Sequence, residues 1–131
     1  MRRIVLLLPV MLVLLLGCAT VPKEMDLKES LRSKAEEYWK LRLQDRYEET
    51  YKMEYKTGLP GFAEYKETAQ LIKKFKIESF SIGKVEVAGE KGTVTVRVSV
   101  LKPPIPVPVK DVFTEEWIFQ DGDWWHIMRL K

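Results

Sequence analysis

Only one cysteine and one histidine occur in the 131 residues, and no apolar stretch is long enough to cross a bilayer as a helix. The cysteine, Cys18, has no partner in the chain, which excludes an intramolecular disulfide framework. One histidine, His126, and one cysteine offer no metal-ligand spacing, so no metal site is expected. A glycine-rich phosphate loop and a nucleophile elbow are missing too, and no cofactor is expected. Charge of either sign is not concentrated: 22 Lys and Arg stand against 19 Asp and Glu, a formal net charge of +3. Lys73-Lys74 with Lys76 is the densest basic spot and reads as a solvated helix end. No nucleic-acid partner is expected.

What is present begins with Arg2 and Arg3, followed by an apolar run from Ile4 to Leu16 interrupted only by Pro9. Those thirteen residues suit a signal-peptide core and fall short of the ~20 that span a bilayer. The run closes in Leu15-Leu16-Gly17-Cys18, which resembles the lipobox of bacterial lipoproteins. The resemblance implies a signal peptide at 1–17, export, and lipidation of Cys18, with several acyl chains anchoring firmly where one alone holds weakly. In the diderm lipoproteins that the chain resembles, a non-acidic residue after the cysteine, here Ala19, goes with sorting to the outer membrane, so the resemblance implies its periplasmic face. Residues 18–25 then form the lipidated cysteine and a tether. Its seven residues after Cys18 reach only ~25 Å, which keeps the domain close to the lipid surface. Loss of residues 1–17 takes Arg2 and Arg3 with it, lowering the formal charge to +1 and leaving 114 residues, enough for one domain at 26–131.

The domain opens with helical spacing. Asp26-Leu27-Lys28-Glu29 has the form of an N-cap followed by an acidic residue, and Leu27, Leu31, Ala35 and Tyr38 continue at helical intervals with Trp39 beside them. A helix is predicted from about Leu27 to Leu43. Asp45-Arg46-Tyr47-Glu48 repeats the capping pattern and opens a second helix through about Tyr55, with Tyr47, Tyr51 and Tyr55 on one face. Thr57-Gly58-Leu59-Pro60-Gly61 breaks the chain, and a third helix is predicted from about Phe62 to Lys74.

From Ile77 the period becomes 2. Lys76 to Ala88 reads as a strand with a phase slip, and hence a bulge, at Gly83. After a turn at 89–92, Val94, Val96, Val98 and Val100 alternate with polar residues. Lys102 to Val109 is too proline-rich for a central strand; its Pro103-Pro104-Ile105-Pro106 is either a docking segment or a stiff hairpin arm. Val109 to Phe119 and Asp123 to Leu130 form a final hairpin around Asp121-Gly122.

Helices first and then a meander of about four strands make an α+β pattern, N-terminal helices packed on a curved antiparallel sheet. Ala35-Glu36-Glu37-Tyr38-Trp39, the run Asp45 to Tyr51, Gly92-Thr93-Val94-Thr95-Val96 and the run Glu115 to Trp124 together resemble the nuclear transport factor 2-like superfamily. The likeness extends from about Asp26 to Leu130 and implies a cone-shaped domain around a pocket. The superfamily includes isomerases, dehydratases and binding modules, so the fold does not name an activity.

A two-residue turn at Asp121-Gly122 places Trp117 opposite His126 and Glu115 opposite Met128, with Glu115 diagonal to the histidine. A three-residue loop would set His126 against Glu116 instead. His126 with Glu115 or Glu116 is therefore the candidate catalytic pair, a general acid and base of isomerase or dehydratase type. The alternative is a cross-strand polar pair that helps set register. The acidic base, tyrosine and second acid of the superfamily's isomerases are not reproduced. Tyr38, Trp39, Tyr47, Tyr51, Phe62, Trp117 and Trp124 are candidate pocket residues for an apolar ligand, or else core. The expected function is a membrane-anchored, non-catalytic module that binds a small apolar ligand or an envelope protein. The enzyme is the alternative, and a homodimer through the sheet is a further possibility.

Overall fold

The computed structural model describes residues 23–71 and 75–129. The expected signal peptide, Cys18 and most of the tether lie outside the described residues, as do Ile72 to Lys74 and Leu130. Three helices, α1 (Glu24–Leu43), α2 (Tyr47–Lys52) and α3 (Phe62–Leu71), precede four strands. These are β1 (Lys76–Ala88), β2 (Lys91–Leu101), β3 (Val109–Gln120) and β4 (Asp123–Ile127), joined as an antiparallel meander in the order β1-β2-β3-β4. No helix among the described residues is long and apolar enough to cross a membrane.

The start of α1 differs from expectation. Lys23 occupies the N-cap position without a side-chain capping bond, and Asp26 falls in the first turn beside Glu24. Acidic groups there favour the helix through its dipole, so Asp26 acts by charge rather than by capping. At the other end Asp45 does not cap α2. It takes φ 60° and closes α1, its N–H donating to Arg42 O (3.2 Å) while Arg46 N–H donates to Leu41 O (3.0 Å). That bond pair is a Schellman motif, with an aspartate tolerating the left-handed position glycine usually fills.

The second helix stops at Lys52, short of the expected Tyr55. Met53 to Tyr55 leave it to lie parallel to β4, with Tyr55 N–H donating to His126 O (2.7 Å) and His126 N–H to Met53 O (2.9 Å). Pairing with an otherwise open backbone outweighs one more helical turn.

Leu31, Ala35, Tyr38 and Trp39 form the buried stripe of α1 and pack on Val94, Val96, Val98 and Val100 of β2 and on Trp117 and Trp124. Burying side chains of this size contributes about 1.5–3 kcal/mol each. A smaller cluster joins Tyr47, Tyr65 and Ala69 with Tyr51, Leu59, Phe62 and Met128. The expected bulge is present, as a register shift between Ile82 and Val85, and a second lies between Ile77 and Ser79. The Arg32 guanidinium donates to the carbonyls of Ile82 (3.3 Å) and Gly83 (3.0 Å), fixing α1 to that bend. Gly92 lets α1 approach the sheet: a Cβ there would collide with Leu31 and lie 3.0 Å from Trp124.

Candidate functional site

The hairpin has the two-residue turn. Asp121 and Gly122 both have positive φ (54° and 76°), and Trp117 pairs with His126 and Phe119 with Trp124. Glu115 and His126 therefore share the inner face. Glu116 lies on the other face, paired with Ile127 and ion-paired with Arg129.

His126 sits between two carboxylates. Its Nδ1 donates to Glu54 Oε2 at 2.7 Å, and its Nε2 is 3.6 Å from Glu115 Oε1. Glu54 is 1% exposed and was not legible as a site residue: helical spacing placed it one residue before the end of α2, and only its departure from that helix carries it inside. The other oxygen, Oε1, accepts from Tyr38 Oη at 2.5 Å and lies 3.2 Å from Tyr65 Oη. Tyr65 Oη is also 2.9 Å from Thr50 Oγ1, so its single proton serves one acceptor at a time. Arg42 Nη1 donates to Tyr38 Oη at 3.1 Å. Trp39 Nε1 donates to both oxygens of Glu115 (3.1 and 3.2 Å). The result is one continuous polar chain through the apolar core, from Arg42 through Tyr38, Glu54 and His126 to Glu115 and Trp39.

Electrostatics follow from this order. Burial opposes the His126 cation, but Glu115 and Glu54 outweigh it and push the pKa up to about 9. The ring is thus an imidazolium at neutral pH, and both nitrogens are donors turned toward carboxylates. Burial first, and then the Glu54 charge, hold the Tyr38 and Tyr65 hydroxyls above their ordinary value, so both stay protonated. Aromatic rings pack on the imidazole: Tyr38 stacks on His126 (centroids 4.5 Å apart) and Trp117 meets it edge-on at 5.0 Å. The indole N–H of Trp117 is buried without an acceptor.

The sequence candidates divide accordingly. Tyr38, Trp39, Trp117, Glu115 and His126 come together around this chain of bonds. Trp124 is core, with its N–H on Ser30 Oγ (3.0 Å). Tyr51 and Phe62 pack against each other in the smaller cluster, and Tyr51 Oη donates to Pro60 O (2.9 Å). Tyr47 borders a cleft of about 390 Å³ at the C-terminal end of α1, lined among the described residues by Arg42, Leu43, Asp45, Ala69, Phe75, Lys76 and Ile77 as well. Arg42 is the one residue common to cleft and buried chain. Among the described residues no group of His, Cys, Asp and Glu is arranged to hold a metal ion.

No protein-family model matches this chain, and no curated protein matches it. Solved structures do. The chain is similar to a SEC-C motif containing protein from Rhodopseudomonas palustris, with TM-score 0.55 and 9% identity over 69% of each chain. It is also similar to a proposed NTF2-like transpeptidase from Campylobacter jejuni, with TM-score 0.53 and 8% identity over 74% of this chain and 96% of that one. A de novo designed NTF2 fold protein aligns with TM-score 0.48 and 17% identity over 79% of this chain and 86% of its own. At such identities the likeness is one of fold, and with its helices followed by a curved four-stranded antiparallel sheet this chain has the nuclear transport factor 2-like fold.

Proposed function

We propose that the chain is a lipid-anchored, non-catalytic binding module of the bacterial cell envelope, held through Cys18 at the periplasmic face of the outer membrane. The anchor rests on the lipobox resemblance. The absence of catalysis rests on one observation: both nitrogens of the only histidine are engaged by Glu54 and Glu115 under a cover of aromatic rings. A general base needs a nitrogen within reach of a substrate proton, and this ring has none to offer. Its interactions instead suit a satisfied polar network that specifies how α1, β3, β4 and Met53 to Tyr55 meet.

Diethyl pyrocarbonate tests the sealed histidine. In the folded protein His126 is expected to resist modification, and to react once the chain is unfolded in urea. Rapid modification of the native protein would return the alternative, an isomerase or dehydratase working through His126 with Glu115 or Glu116. Glu116 could take part only if the hairpin changed register, because it lies on the outer face with Arg129. Fractionation tests the anchor: the native chain should sediment with membranes, and Cys18→Ala should lose acyl labelling. Labelling that persists without Cys18 would overturn it. The partner is a small ligand or an envelope protein, and a second copy through the sheet is the remaining proposal for Ile118 and Trp125, opposite each other on the outer face.

A further inference from the structure

We propose that the cleft at the C-terminal end of α1 binds an amphipathic acid, an apolar body carrying a carboxylate or phosphate group, with Arg42 as the acid's partner. This rests on the binding-module reading and names the class of ligand. Arg42 lines the cleft as a cation. Among the described residues no carboxylate pairs with it, although it is partly buried; its hydrogen bonds go to the neutral hydroxyls of Tyr38 and Tyr65. Glu54 is committed to His126, Tyr38 and Tyr65, and Asp45, the carboxylate in the cleft lining, accepts from the Tyr47 hydroxyl at 3.1 Å among its interactions. A guanidinium has five N–H donors in a planar fork that suits two-pronged recognition of carboxylate or phosphate. Tyr38 and Tyr65 engage part of this fork and leave other donors for an oxygen in the cleft.

The remaining walls specify the rest of the ligand. Leu43, Ala69, Phe75 and Ile77 are apolar, and Leu43 and Phe75 are among the few large hydrophobics left exposed. Exposed apolar side chains gathered around a concavity mark binding surfaces more often than scattered ones do. Lys76 adds a second cation, so among the described residues the lining carries two positive groups against the one engaged carboxylate of Asp45. Lys102 Nζ lies 5.4 Å from the Phe75 ring centroid and steadies that wall from the proline-rich arm. The volume of about 390 Å³ falls within the roughly 300–1,000 Å³ usual for small-molecule sites.

The test uses the full-length protein in phospholipid nanodiscs, titrated with octanoate, octyl phosphate and octanol, with methyl resonances of Ala69 and Ile77 followed by NMR. Both acids should shift these signals saturably, with octanol at least about tenfold weaker, and the tighter acid identifies the head group as carboxylate or phosphate. Arg42→Gln should abolish the preference for acid over alcohol, while Arg42→Lys should keep part of it. Should Arg42→Gln fail to fold, Leu43→Glu at the exposed helix end should weaken the acids more than octanol. Octanol binding as well as the acids, or shifts that never saturate, would overturn the proposal. Either failure leaves the binding module itself standing, since its tests are the chemical modification of His126 and the acylation of Cys18.

Discussion

Protonation of His126 couples folding to pH. Its folded pKa of about 9 lies above the 6.5 of the free group. The folded state therefore holds the proton more tightly, and the stabilisation is complete below pH 6.5 and is lost as pH rises through 9. A shift of that size corresponds to about 3 kcal/mol at most. The melting temperature followed by circular dichroism should accordingly fall between pH 6.5 and 9.5, and the His126 ring resonances should titrate near 9. A midpoint near 6.5 would mean that the two carboxylates do not act on the ring as their distances require. Glu54 carries the greater structural share, because it holds both the imidazolium and Tyr38. Glu54→Ala leaves a buried cation with one partner and should cost about 3–5 kcal/mol in urea unfolding. Glu54→Gln, which keeps the shape and one acceptor oxygen, should cost less. At this scale the sequence showed half of the site. Alternation along β3 and β4 put Glu115 beside His126, whereas Glu54, Tyr65 and Thr50 reach it only through tertiary placement that no local period encodes.

Among the elements, the strands were more legible than the helix ends. Alternating valines and a positive-φ turn pair leave little freedom, and β2 and the register of the terminal hairpin lie where their patterns put them, although β4 ends at Ile127, short of the expected Leu130. The two capping patterns misplaced their helices for different reasons. Asp26 is as well suited to the first turn as to the cap, whereas an aspartate before a helical run is equally suited to closing the preceding helix, and Asp45 does that. The end of α2 depends on an acceptor far along the chain, the backbone of His126, which is invisible in a window of six residues. Close approach of α1 to β2 gives a prediction proper to this scale. Gly92→Ala must displace Leu31 or Trp124, and overpacking of that kind should cost about 1–3 kcal/mol, read from the midpoint of denaturant unfolding. An unchanged midpoint would show that helix and sheet can separate without loss.

For the molecule as a whole, helices-first order and the meander were enough to indicate the α+β class, and the runs at 35–39, 45–51, 92–96 and 115–124 supplied the resemblance to the nuclear transport factor 2-like fold. The presence of a pocket was not, because aromatic residues line cores and cavities alike, and here most of them fill the core. Stability should be distributed accordingly. Amides of β2, flanked by strands on both sides, are expected to exchange slowest with deuterium, and those of α3, packed only in the smaller cluster, among the fastest. Equal protection of α3 and β2 would contradict that division.

The short parallel segment beside β4 has a consequence for how copies of the chain behave in a crowd. It occupies part of one outer rim of the sheet. The opposite rim, β1, is bent by two register shifts and carries Lys76 and Lys84. Bends, lysines and covered rims are the devices by which sheets resist adding strands from neighbouring molecules. Under the proposed lipid anchor at Cys18, chains confined to a membrane would meet one another at far higher effective concentration than chains free in solution. With neither rim offering, among the described residues, a long, straight run of unpaired backbone, such encounters would lack a template for fibre-like stacking.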